Sequence, residues 1–318
     1  MNIISIKNKF LRFYGNYSYV VSFLVLFIIA AAINPRFLTY SNITTMVKQA
    51  TIIGIVALGM NLIIIEGMID LSVGSLVALT AGLGVIVLNK TNNMLVMLLF
   101  CLILGTFLGL INGLLVTKGR IAAFIVTLAT FSAYRSIIVQ IGQGGPFNVS
   151  QVNYDKFRLI AAGETFYIPN LAIIFVFIAI VITILMNQTK FGRYVYAVGS
   201  NEVAARLSGI NVNYMKTMAF VITGFLCGIS AFLLSSRLSS IAAANAGMGF
   251  ELDAIAAVAI GGTAMSGGRG KLMGTFLGAL MLQMINVILV IANIPPFLEG
   301  LVKGIIIILA VLFQSKRK

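Results

Sequence analysis

Glu66 and Asp70 stand four residues apart in Glu66-Gly67-Met68-Ile69-Asp70-Leu71-Ser72-Val73-Gly74-Ser75, a break between two apolar runs. On a helix that spacing would put both carboxylates on one face, the arrangement a paired-carboxylate hydrolase needs. No neighbouring group completes such a site, and no catalytic residue is assigned. The break reads better as backbone chemistry. Gly67 permits a sharp turn, Asp70 or Ser72 can accept from the free amides of the next helix, and Gly74 allows close approach. At membrane depth, exposed peptide dipoles are tolerated against protein or along a water-filled path.

A second break runs Asn245-Ala246-Gly247-Met248-Gly249-Phe250-Glu251-Leu252-Asp253, then a short apolar run, then Gly261-Gly262-Thr263-Ala264-Met265-Ser266-Gly267-Gly268-Arg269-Gly270-Lys271. As a phosphate cradle it fails on spacing: Met265 lies five before Gly270, and Leu272 stands where Ser or Thr is needed. This chain is therefore not expected to bind ATP. With no His in the chain, and with Cys101 and Cys227 both inside apolar runs, neither a metal site nor a disulfide framework is expected.

The elements that must hold these breaks are apolar. Of 318 residues 60% are hydrophobic and 9% charged, with mean hydropathy +1.06, against about a quarter charged in a soluble domain. Ten runs follow one another at 19–33, 43–65, 71–89, 94–116, 122–141, 169–186, 215–236, 251–262, 272–292 and 298–313, most of spanning length. The eighth is too short to cross alone and reads as tilted or re-entrant. The first follows Lys7, Lys9 and Arg12 and reads as a retained helix, not a cleaved leader. The expected fold is an all-α polytopic membrane protein of about ten transmembrane helices, one domain over 1–318.

Charge gives the expected orientation. With the N-terminus inside, the cytoplasmic breaks collect Lys7, Lys9, Arg12, Lys118, Arg120, Lys190, Arg193, Arg206, Lys216, Arg269, Lys271, Lys316, Arg317 and Lys318. The opposite side collects Arg36, Lys48, Lys90, Lys156, Arg158 and Arg237, and Arg135 and Lys303 fall within runs. That bias puts both termini in the cytoplasm. The net charge of +14 is spread among breaks with no interleaved aromatics, so no nucleic-acid partner is expected.

Ten spans divide into two sets of five, 19–141 and 169–313, and an odd number makes the second set inverted relative to the first. Gly105-Thr106-Phe107-Leu108-Gly109 in the fourth run recurs as Gly274-Thr275-Phe276-Leu277-Gly278 in the ninth, the equivalent place. Gly105 with Gly109, and Gly274 with Gly278, each put two small residues on one helix face for close packing.

The longest cytoplasmic break, 187–214, offers a short helix: Ser200 or Asn201 as N-cap, Glu202 at its positive end, Ala204, Ala205, Arg206 and Ser208 along it, and Gly209 as terminator. Its small Ala204-Ala205 face suits insertion into another protein's groove.

The whole chain resembles the inner-membrane permease subunits of ATP-binding cassette importers for ribose and related monosaccharides, in the family shared with branched-chain amino acid permeases. The resemblance is carried by Gly67-Met68-Ile69-Asp70-Leu71-Ser72-Val73-Gly74-Ser75, Phe124-Ile125-Val126-Thr127-Leu128-Ala129-Thr130, Ala204-Ala205-Arg206-Leu207-Ser208-Gly209-Ile210, and Gly261-Gly262-Thr263 through Gly268-Arg269-Gly270. Departures fall at Ala123, Met68 and Ser136, where the family often has Pro, Gly and Gly. The resemblance implies a multi-pass protein of the bacterial cytoplasmic membrane, paired with a second permease subunit as a homodimer. It also implies a cytoplasmic ATPase docked on the 204–209 segment, with ATP and Mg on that partner and no cofactor in this chain, and an extracytoplasmic solute-binding protein. A sugar path needs neutral hydrogen-bonding groups. Asn61, Asn112, Thr127, Thr130, Gln283 and Asn286, with Asp70 and Ser72 at the first break, are the candidates, each equally capable of bonding helix to helix. Other solutes in the same frame are a nucleoside, an autoinducer or a branched-chain amino acid. The rival class, an ion-coupled secondary transporter, is disfavoured by the absence of His and by the sparse mid-span ionisable residues.

Overall fold

The computed structural model describes residues 3–295 and scattered positions between Leu298 and Leu312, with side chains described from Ser18 onward. Half of the tenth run falls outside the described residues. Lys303, Lys316, Arg317, Lys318 and the side chains of Lys7, Lys9 and Arg12 lie outside them altogether.

The chain order is α1 (Ile3–Ile33), α2 (Tyr40–Ile65), α3 (Val73–Thr91), α4 (Met94–Thr117), α5 (Ala123–Ile141), β1 (Pro146–Asn148), α6 (Gln151–Ala162), β2 (Glu164–Thr165), β3 (Ile168–Pro169), α7 (Asn170–Gln188), α8 (Lys190–Ser200), α9 (Glu202–Leu207), α10 (Val212–Leu238), β4 (Ser240–Ala242), α11 (Phe250–Ile260) and α12 (Leu272–Ile291). Seven of these, α2 to α5, α7, α10 and α12, are long and apolar enough to cross a membrane, and α1 contains a shorter apolar stretch, Ser18–Ile33. This is a polytopic helical membrane protein.

α2 and α10 form the centre. α4 lies along α10 and α12 along α2; α3 touches α10 and α11 touches α2; and α2 and α10 pack on each other. Over its most apolar stretch α2 is 89% buried, whereas α4, α5 and α7 are each 28% buried, so the outer helices are left facing lipid or another chain. The α4–α10 contact is glycine on glycine. A Cβ at Gly105 would overlap the Gly224 carbonyl oxygen, and one at Gly224 would overlap that of Gly105; Gly109 meets the Phe220 carbonyl in the same way. Without a hydrophobic driving force between helices in lipid, such backbone approach is what packs them. Gly274 and Gly278 play the same part on α12, against Gly261 and Ala257 at the end of α11.

Both breaks are real. After α2 the chain turns at Gly67, whose φ of +78° is glycine territory, and α3 restarts at Val73. After α10 the chain runs without regular helix from Ser239 to Gly249, save for β4, before α11 starts. Eleven residues of α11 rise only about 16 Å, roughly half of the hydrocarbon thickness, so this crossing is discontinuous. The two breaks meet: a Cβ at Gly74 would overlap the Gly247 carbonyl, and one at Gly247 that of Gly74.

Two features add to the expected spans. β1 pairs antiparallel with β4 (Pro146↔Ala242, Asn148↔Ser240) and β2 with β3, and α6 is an extra helix between α5 and α7. The β1–β4 pair supplies backbone partners to two segments that have left their helices.

Candidate translocation site and coupling surface

The polar residues predicted to line a path separate into three sets at different depths. At the first break, Asp70 Oδ1 accepts from the Ser72 backbone N–H at 2.8 Å and from its hydroxyl at 2.6 Å; Asn112 Nδ2 donates to Ser72 Oγ at 2.8 Å; and Tyr134 donates to Asn112 Oδ1 at 3.3 Å. Asp70, Ser72 and Asn112 are all buried. This chain ties α3, α4 and α5 together. Ser72 occupies the N-cap of α3 but its side chain makes no cap bond, so the expected capping of α3 is replaced by a turn that Asp70 closes on Ser72 itself. Tyr134 was missed in sequence because a tyrosine in an apolar run reads as packing.

Asn61, fully buried in α2, donates to Thr263 Oγ1 at 3.3 Å and also to Thr275 Oγ1, while its own Oδ1 has no partner. Thr127 and Thr130 spend their hydroxyls on the backbone one turn earlier in α5, to Ala123 O at 2.9 Å and Val126 O at 3.1 Å; Thr127 also reaches Ile69 O at 3.4 Å. Gln283 and Asn286 bond each other at 3.3 Å on α12. They line a cavity with Gln49 of α2 and Arg237 of α10 that Asp70, Ser72 and Asn112 do not reach. Gln49 and Asn61 are twelve residues apart on α2, about 18 Å along the axis.

Glu66 is buried with neither carboxylate oxygen partnered. Beyond it, on the same end, a cavity of about 670 Å³ opens among Met68, Thr117, Arg120, Ala123, Glu202 and Lys216.

α9 borders this cavity. Asn201 Oδ1 accepts from Ala204 N at 3.0 Å as its N-cap, and Gly209, at φ +81°, ends it. Glu202 binds Lys216 of α10 at 2.7 Å and Arg206 at 3.1 Å, and the bonded ammonium of Lys216 holds the Glu202 carboxyl below the usual carboxylate range. One expectation is corrected. Ala205 is 4% exposed and packs into the chain's own core, because its position on the single turn points it at the bundle. The outward face is Val203 and Leu207, 69% and 84% exposed, with Ala204 and Ser208 beside them. Sequence reading missed Val203 and Leu207, since two apolar residues four apart on a six-residue helix do not make a stripe.

Among the described residues no group of three or more His, Cys, Asp or Glu side chains could hold a metal ion, and Cys101 and Cys227 are free and buried.

Residues 42–311 match the family described as branched-chain amino acid transport system / permease component. The ribose import permease protein RbsC of Escherichia coli (strain K12) is 37% identical over 300 residues, 94% of this chain and 93% of that one. The Bacillus subtilis (strain 168) protein of the same name is 40% identical, covering 92% and 90%. The L-arabinose transport system permease protein AraH of Escherichia coli (strain K12) is 33% identical, covering 98% and 93%. No solved structure matches the chain. With its broken crossings, its outward-facing helical turn and similarity along nearly its whole length to permease proteins, the chain belongs to the branched-chain amino acid transport system / permease component family.

Proposed function

We propose that this chain is the membrane-spanning half of an ATP-driven importer that carries a monosaccharide, ribose first, across a bacterial cytoplasmic membrane. The observation that carries the substrate is similarity of 37–40% over nearly the whole length to proteins named ribose import permeases, alongside 33% to an L-arabinose permease. ATP is hydrolysed, with Mg, on a separate cytoplasmic subunit that seats Val203 and Leu207 of α9, while an extracytoplasmic binding protein delivers the sugar. A second copy of the chain completes the path, and the lightly packed α5, with Phe124, Ile125, Leu128 and Ile137 exposed, is the face offered to it.

The finer architecture in this reading is ten spans with both termini cytoplasmic, built as two inverted five-helix repeats. The packing supports it: α4 on α10 repeats as α12 on α2, and α3 on α10 as α11 on α2, the correspondence expected if the second and seventh spans are related by an axis in the membrane plane. Closure of the ATPase pair on ATP would move α9 as a rigid lever through its Glu202–Lys216 tie to α10, and so switch the path between two states.

The test is complementation. A strain lacking its own ribose permease, ATPase and binding protein should take up ribose when given this chain with its neighbouring ATPase and binding protein, and not when the ATPase is omitted. Uptake without any ATPase would overturn the reading.

A further inference from the structure

One cavity on the Gln283 side is separate from the one beyond Glu66. It has a volume of about 180 Å³ and is lined by Gln49, Ile52 and Ile53 of α2, Arg237 of α10, Phe250 and Asp253 of α11, and Gln283 and Asn286 of α12. At about 30 Å³ per water it has room for roughly six waters, the size class of one small polyol.

Its lining is unusual for a place between spanning helices. Three side-chain amides, a carboxylate and a guanidinium face one small space, where every unpaired polar group is costly. Helix packing alone does not use up Asn286. Gln283 is 2% exposed, and its amide oxygen takes the Asn286 Nδ2 at 3.3 Å, while Asn286 Oδ1 is buried with no partner. That oxygen is an acceptor waiting for a hydroxyl donor. Phe250, one residue into α11, adds an aromatic ring to the wall, and Asp253 follows one turn later on the same face. With Asp253 and Arg237 both present the formal charges of the lining cancel, so the lining matches a neutral ligand carrying several hydroxyls better than an anion or a cation.

We propose that this cavity is a binding site for a single neutral polyol of monosaccharide size, held within one copy of the chain and distinct from the Asp70–Ser72–Asn112 cluster. This deepens the transport reading and rests on it for the substrate class alone. Asn286 Oδ1 accepts from a ligand hydroxyl, the Gln49 and Arg237 N–H groups donate, and the Phe250 face covers the C–H side of the ring. The site stands beside the junction of α10 and α11, where the broken crossing begins, and its occupancy by ligand couples α11 to α2 and α12.

Cysteine protection tests it in the full-length chain. In Ile53→Cys, whose side chain lines the cavity without a polar contact of its own, with Cys101 and Cys227 already buried, a panel of pentoses, hexoses and inositol is screened for slowing of thiol alkylation. Met248→Cys, at a position 73% exposed, is the control. The expected result is at least threefold slowing by one panel member at Ile53→Cys, none at Met248→Cys, and loss of protection on adding Asn286→Leu or Gln283→Leu. If the complete wild-type transporter imports a panel sugar and that sugar leaves alkylation of Ile53→Cys unchanged, the site is wrong although the transport reading stands. Protection by a polyol the transporter does not import upholds the site and removes the substrate assignment. Absence of both protection and sugar uptake overturns both.

Discussion

At the residue scale, the buried polar groups divide into those that are satisfied and those that are not. Asp70, Ser72 and Asn112 hand hydrogen bonds along a closed chain, so they act first as a fastening between α3, α4 and α5. Glu66 is the opposite case, a buried carboxyl with both oxygens unpartnered. A buried polar group left without a partner costs about 1–3 kcal/mol, and Glu66→Gln keeps the volume while removing the ionisable carboxyl. The variant should therefore raise the thermal unfolding midpoint of the detergent-solubilised protein, and a lowered midpoint would show that Glu66 has a stabilising partner. Asn112→Leu should do the reverse: Ser72 still donates to Asp70 and Tyr134 to Leu108 O, but the tie of Ser72 to α4 is lost, at about 0.5–1.5 kcal/mol per bond, read as a lower midpoint. Sequence identified Asp70, Ser72 and Asn112 by type alone, because a polar residue in an apolar run is conspicuous. It could not say that Gln283 and Asn286 stand apart from them, since depth follows from how α2 and α12 are aligned and not from residue type. Arg237, Gln49, Phe250 and Asp253 were not singled out as one group because they come from three separate helices.

At the element scale, short helices carry the argument. α9 was legible because capping is local: Asn201, Glu202 and Gly209 are its start, its favoured acid and its stop. Which side faces out was not legible, for it depends on the tie of Glu202 to Lys216 across fourteen residues. Leu207→Asp should leave the protein folded in the membrane, since that side chain is 84% exposed, while cutting ATP-dependent uptake at least tenfold. Uptake at the wild-type rate would detach α9 from the coupling role. The Glu202 carboxyl, held below its ordinary value by Lys216, stabilises α9 docking above the unfolded carboxylate value of about 4.3. The contribution is lost as pH falls through the lower folded value. Hydrogen exchange across 202–216, corrected for intrinsic rate, should thus rise on acidification below about pH 4.3, and Lys216→Met should flatten that dependence. A break such as Ser239–Gly249 was visible as glycine and polar residues, whereas its strand pairing with β1 was not, because three-residue strands carry no periodic signal.

At the scale of the molecule, the apolar runs announced the class and most of the spans, since hydrocarbon thickness sets a length that sequence displays directly. The short eighth run was marked as unable to cross alone, and α11 shows why it need not: β1, β4 and Gly74 of α3 surround the non-helical part with protein, the condition under which open backbone is tolerated at depth. α6 escaped notice because its mixed polar and apolar sequence lacks a spanning run. The molecule has glycine-packed central helices, a polar fastening at the first broken crossing and an exposed lever on one end. Transport is driven from outside this polypeptide. The most direct measurement is sugar uptake into proteoliposomes holding this chain and its ATPase, with binding protein and labelled ribose outside and ATP sealed within. The account predicts uptake that requires ATP, stops when the ATPase's catalytic carboxylate is removed and persists when ionophores collapse all ion gradients. Uptake that survives without ATP and vanishes with an ionophore would contradict it.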